Sequence, residues 1–156
     1  MVVAGFGWRQ GATPDSLRAA LALALRQLSS QAADPADPAQ LVQGPITLLA
    51  TAQDKANAAC LQTLAAQLGL PVHAVPLALL KAVPTATRSA VVQRLRGSGS
   101  VAEAAALAAA AALTSSHRTA FTAALTVRLL HPRSVSPDRL ATCALATFDL
   151  LHPQLP

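Results

Sequence analysis

The chain has 156 residues, of which 53% are hydrophobic and only 12% charged, with a net charge of +5 at pH 7. That length fits one domain burying roughly 68–70% of its unfolded surface, and the composition excludes a chain disordered as a whole. The longest apolar run, Ala104 to Leu113, is far short of the ~20 residues a bilayer-spanning helix needs.

No basic stretch precedes the apolar N-terminus, so no signal peptide is read and a cytoplasmic protein is expected. Cys60 and Cys143 lie far apart in apolar stretches and are read as two buried thiols. The 12 Lys and Arg residues are spread without a run of three, and the aromatic residues are only Phe6, Trp8, Phe121 and Phe148. Nucleic-acid binding draws on clustered basic residues or stacking aromatics, so the basic balance points to an acidic small molecule.

Met1–Phe6 is an apolar run predicted as the first strand. Thr13-Pro14-Asp15 opens a helix. Thr13 serves as N-cap, Pro14 suits the first helical position, and Asp15 complements the dipole. Leu17, Leu21, Leu25 and Leu28 follow at helical spacing until Ser29-Ser30. Residues 31–44, broken by Asp34-Pro35, Asp37-Pro38 and Gly44-Pro45, read as a mobile surface loop. Ile46–Thr51 is the second predicted strand. Asp54 to Leu68 is the second helix, with Ala58, Leu61, Leu64, Ala65 and Leu68 on one face and Gly69 as its C′ residue.

Leu70–Val75 reads as a third strand, Leu77–Lys81 as one helical turn and Ser89–Leu95 as a short helix. Ser100-x-x-Glu103 is a capping-box pattern opening a helix over Val101–Leu113. Thr122–Leu130 reads as a strand, Pro132–Asp138 as a turn, Leu140–Phe148 as a last strand and 152–156 as a tail. Strands alternating with helices predict a single three-layer α/β/α domain, 1–156, around a mostly parallel or mixed sheet of about five strands.

Two glycine-rich turns carry the functional signal: Gly5-Phe6-Gly7-Trp8-Arg9-Gln10-Gly11 and Gly97-Ser98-Gly99-Ser100. Each reads as a loop entering a helix. The first N–H groups of a helix have no internal partner, and that end is partly positive. Glycine lets backbone approach a ligand closely. Together the turns predict one site for an anionic small molecule. Arg9 suits a carboxylate or phosphate, and Trp8 serves either as core or as a flat wall beside a ligand.

The first turn also invites a dinucleotide reading, but the acid expected after the second strand is missing. That strand ends at Ala50-Thr51-Ala52-Gln53. A small α/β enzyme binding a phosphorylated or nucleotide substrate is therefore the alternative reading, and a partner subunit with no ligand of its own is a third. No cofactor is predicted. His73, His117, His131 and His152 lack metal-ligand spacing with one another or with a cysteine, so no metal is predicted either. No catalytic residue is assigned. Glu103, the only glutamate, stands as a candidate beside its reading as a helix cap.

Several segments resemble one family, in order and over nearly the whole chain. Val3 to Gly11 is similar to its opening glycine-rich motif. Ala50-Thr51-Ala52-Gln53-Asp54-Lys55 resembles an Ala-Thr-x-x-x-Lys segment, and Leu68-Gly69-Leu70-Pro71 follows it. Gly99-Ser100-Val101-Ala102-Glu103-Ala104-Ala105-Ala106-Leu107 is nearly the family's own sequence. Arg128-Leu129-Leu130 and Ala141-Thr142-Cys143-Ala144-Leu145-Ala146 resemble its closing strands. This is the CobE family, which matches the C-terminal domain of CbiG in cobalamin biosynthesis. Trp8 stands where the family usually has cysteine, Gln10 where a basic residue is usual, and Asn57 near a position that is often acidic.

The resemblance implies a protein that acts on or binds a polycarboxylate corrin-ring intermediate, with other cobalamin-pathway enzymes as further partners. For the fused anaerobic protein it implies opening of the ring-A lactone of cobalt-precorrin-5A with loss of acetaldehyde. The stand-alone form implies the aerobic route, in an accessory, carrier or ring-contraction-stage role. The expected ligand contacts are Gly5, Gly7, Trp8, Arg9, Gly11, Lys55, Gly97, Ser98, Gly99 and Ser100.

Overall fold

In a computed structural model of the chain, residues 1–31, 46–83, 100–117 and 125–150 are described. The elements run β1 Val2–Trp8, α1 Pro14–Gln31, β2 Ile46–Ala52, a 3-10 turn Gln53–Lys55, α2 Ala59–Leu68, β3 Val72–Val75, α3 Leu77–Ala82, α4 Val101–His117, β4 Leu125–Val135 and β5 Ala141–Leu150. The strands form one sheet in the order β3-β2-β1-β5-β4. β1, β2 and β3 are parallel, while β5 pairs antiparallel with both β1 and β4. The sheet is mixed, within the fold class that the alternation of elements predicts.

Alternation along β1 divides the core between the two faces. Val2, Ala4 and Phe6 pack with Leu17, Leu21, Leu61 and Leu64 of α1 and α2. Val3 packs on the other face with the alanines of α4, Val75 of β3 and Leu80 of α3. The α1 stripe differs from the expected one. Leu17, Ala20, Leu21 and Ala24 are buried and Leu28 packs at its margin, while Leu25 is exposed. On α2, Leu61, Leu64 and Ala65 are buried and Leu68 is exposed.

Four sequence expectations need correction. Gly5 and Gly7 lie within β1, not in a loop, because Val2–Trp8 pairs along its whole length with β5. The second helix does not run from Asp54: the 3-10 turn ends at Lys55 and Ala58 is extended, with ψ at 136°. Asn57 stands at that break, a residue type that competes for turn conformations. Pro132–Val135 continues β4 rather than forming a turn. The register shifts between Leu129 and His131 and again between His131 and Ser134, so Pro132 sits in a bulge of an edge strand, where its missing N–H costs no ladder bond. Cys60 is half-buried rather than buried. The predicted loop 31–44 (beyond Gln31), the helix Ser89–Leu95 and the tail 152–156 lie outside the described residues.

Candidate functional site

The C-terminal ends of β1, β2 and β3 lie at one edge of the sheet, with the Ser136–Leu140 hairpin between β4 and β5 beside β1. In open α/β sheets this edge is where ligands bind. Arg9 follows β1 directly, and its N–H donates to the Leu140 carbonyl at 2.8 Å, extending the β1–β5 pairing by one residue. Gln10 and Gly11 are exposed beside it. Gly11 has φ +92°, a conformation that glycine adopts without steric cost, and it lets the chain turn into α1.

The start of α1 is tied down reciprocally. Ser16 N–H donates to Thr13 Oγ1, and Thr13 N–H donates to Ser16 Oγ, each at 3.2 Å. Thr13 is thus the N-cap that the sequence predicts. Ser16 Oγ also donates to Asp138 Oδ2 at 2.5 Å. Asp138 further accepts Ser136 Oγ at 2.5 Å and the Leu140 N–H at 3.0 Å. The Ser136 hydroxyl, then that of Ser16, then the Leu140 amide hold its carboxyl below the usual carboxylate range. Sequence reasoning missed Ser16, Ser136 and Asp138. Thr13-x-x-Ser16 was a visible capping signal, but the bond from residue 16 to residue 138 had no local signature.

On the β2 side, Lys55 Nζ donates to the Trp8 carbonyl at 2.5 Å and lies 5.1 Å from the centroid of the Trp8 ring, a cation–π distance. Trp8 packs against the α1–α2 core while remaining half-exposed. It therefore packs as core on one side and leaves part of its ring accessible.

On the opposite face, α4 begins at this same edge. Ser100 Oγ accepts the Glu103 N–H at 3.4 Å, the N-cap bond expected of it. Val101 lies against Gly7, with its Cβ 3.4 Å from where a Gly7 side chain would start. The two segments singled out in the sequence therefore meet, although Gly97, Ser98 and Gly99 lie outside the described residues. Gly5 has its open side filled by the backbone of α4, so it admits the helix instead of facing a ligand. Glu103 is fully buried, and its Oε1 accepts the Arg133 N–H of β4 at 3.1 Å. Asp15 and Asp54 stand at the same edge as Arg9 and Lys55. The edge thus carries charges of both signs.

A family profile described as "Cobalamin synthesis G C-terminus" matches residues 2–146. The chain belongs to this family. Among solved structures it is similar to CobE, a protein from the cobalamin (vitamin B12) biosynthetic pathway, at 28% identity and TM-score 0.73 over 97% of this chain and 93% of that one. It is also similar to the cobalamin biosynthesis protein chiG from Agrobacterium tumefaciens, at 32% identity and TM-score 0.59 over 94% of this chain and 98% of that one. No curated protein matches the chain. Among the described residues, no helix is long and apolar enough to cross a membrane.

Proposed function

We propose that this chain binds a polycarboxylate corrin-ring intermediate at the C-terminal edge of its sheet, as an accessory or carrier protein of the aerobic route to cobalamin. The observation that carries this reading is the packing of the α4 N-terminus on Gly7, next to Arg9 and the Lys55–Trp8 pair. Arg9, Lys55 and the N–H groups at the start of α4 would hold carboxylates. Trp8 would meet the flat apolar ring, and Gly11, with nothing within 4 Å of its open side, would keep the approach open, whereas Gly7 seats the start of α4. On this reading its partners are the corrinoid and neighbouring pathway enzymes in the cytoplasm.

Binding is favoured over turnover because two of the acids near the edge, Asp138 and Glu103, are engaged in structural hydrogen bonds. Asp138 accepts three hydrogen bonds, and Glu103 is buried on the Arg133 N–H. General acid–base catalysis needs a titratable group within reach of the substrate. Were the chain catalytic, the step would be the lyase or hydrolase type of the lactone opening.

Purified protein mixed with corrin intermediates, followed by visible absorbance and mass spectrometry, separates these roles. A shifted spectrum with unchanged ligand mass is expected. A new mass means catalysis, and an unchanged spectrum at protein excess refutes the corrinoid reading.

A further inference from the structure

The β4–β5 hairpin brings a second arginine to the Arg9 edge. Arg139 has φ +61° and is the one non-glycine residue with positive φ among the described residues. Its N–H donates to the Ser136 carbonyl at 2.8 Å, closing the turn, and the Ser136 N–H donates to the Ala141 carbonyl at 2.9 Å. The left-handed region crowds the Cβ of any residue that has one, and glycine or asparagine is the usual occupant. An arginine kept there is unfavourable for the turn itself, which directs attention to its guanidinium.

The next residue, Leu140, accepts the Arg9 N–H, so the two arginines flank one backbone hydrogen bond. The carboxylate between Ser136 and Arg139 is not set on either of them. Asp138 Oδ1 accepts Ser136 Oγ and the Leu140 N–H, and Oδ2 accepts Ser16 Oγ. All three donors are neutral, and they anchor the hairpin to the first turn of α1. Arg139 is exposed. The hairpin is thus rigidly placed while its cation stays available.

We propose that Arg139 is a second anion-binding residue of the edge site, so that the site grips two carboxylates of one ligand, one at Arg9 and one at Arg139. This rests on the reading of the edge as a polycarboxylate site and deepens it. Guanidinium suits such a grip because its planar donors can take a carboxylate bidentately.

Trp8 is the only tryptophan and stands at this edge, so quenching of its emission by an absorbing corrinoid reports binding. The probes are cobyrinic acid, its neutral heptamethyl ester, and citrate, the last read by thermal shift. Arg139→Gly is the main variant, because glycine suits φ +61° and the fold should become more heat-stable. Arg26→Ala, near the far end of α1, controls for the lost charge. The expected result is a tenfold or greater loss of cobyrinic acid affinity in Arg139→Gly, a smaller loss in Arg139→Lys, none in Arg26→Ala, and weak ester binding throughout. Unchanged affinity in Arg139→Gly overturns the assignment while leaving the corrinoid reading standing. If the unaltered protein ignores cobyrinic acid but is stabilised by citrate, and Arg139→Gly is not, the assignment stands and the corrinoid reading falls. If citrate also has no effect, both fall.

Discussion

Gly5 of β1 and Ala106 of α4 are in backbone contact across the sheet–helix interface: a Cβ on Gly5 would lie 2.6 Å from the Ala106 nitrogen and 2.8 Å from its Cβ. The obstructing atoms belong to the helix, not to a side chain that could swing away. Gly5→Ala must therefore displace α4, and overpacking of this kind costs about 1–3 kcal/mol. For a chain of this size that lowers Tm by roughly 2–4 °C per kcal/mol. Gly7→Ala should cost less, since its nearest neighbour would be Thr142 Oγ1 at 3.1 Å. Thermal denaturation of both variants checks the order, and equal melting temperatures would refute it.

His131 links stability to pH. Its Nε2 lies 2.8 Å from Gln27 Oε1 and 3.0 Å from Ser134 Oγ, while its buried Nδ1 has no hydrogen-bond partner. Burial holds its pKa below the ordinary 6.5. The unfolded chain therefore binds more protons than the fold as pH falls through about 6.5, and stability declines below that point until the folded value is passed. Asp138 acts in a separate window. Its contribution is present above the ordinary 3.8 and is lost as pH falls through its lower folded value. Urea midpoints between pH 7.5 and pH 5 should fall for the unaltered protein and much less for His131→Gln.

Glu103 should prove structural. Glu103→Ala leaves the Arg133 N–H without its acceptor and removes a fully buried side chain, at a cost of about 1–3 kcal/mol for the unpaired group alone. Glu103→Gln keeps an acceptor and should lose less. Chemical denaturation measures both. Normal corrinoid affinity in Glu103→Gln fits a structural carboxylate, whereas its loss would reassign Glu103 to the ligand.

Ser16→Ala removes the hydroxyl that serves both the α1 cap and Asp138. A loss of about 1–2 kcal/mol is expected, at the upper end for a single cap. Faster hydrogen exchange should appear at the Arg9 amide, whose partner Leu140 lies in the freed hairpin. An unchanged Arg9 exchange rate would mean that the hairpin holds without α1.

The two thiols should separate under an aromatic disulfide reagent. Cys60 is half-buried, while Cys143 is fully buried, and burial pushes its thiol pKa well up. One thiol should react in the folded protein and the second only after denaturation. Two fast equivalents would contradict the packing of Cys143 in the α1–β5 core.

Local patterns in the chain were enough for the α/β class, the strand start at Ile46, the Thr13 and Ser100 caps and the Gly69 terminus, where φ is +66°. Each rests on neighbours within four residues, which is the range over which propensity and capping act. The contacts that shape the edge have no such range. Ser16 reaches Asp138, Arg9 reaches Leu140, Lys55 reaches Trp8, and Gly5 admits Ala106. Tertiary structure alone decided that Gly5 serves helix packing, that Pro132 rides in a bulge of an edge strand, and that Arg139 joins Arg9. A glycine is equally silent in sequence whether a ligand or a helix fills its open side, and only the folded neighbours determine which.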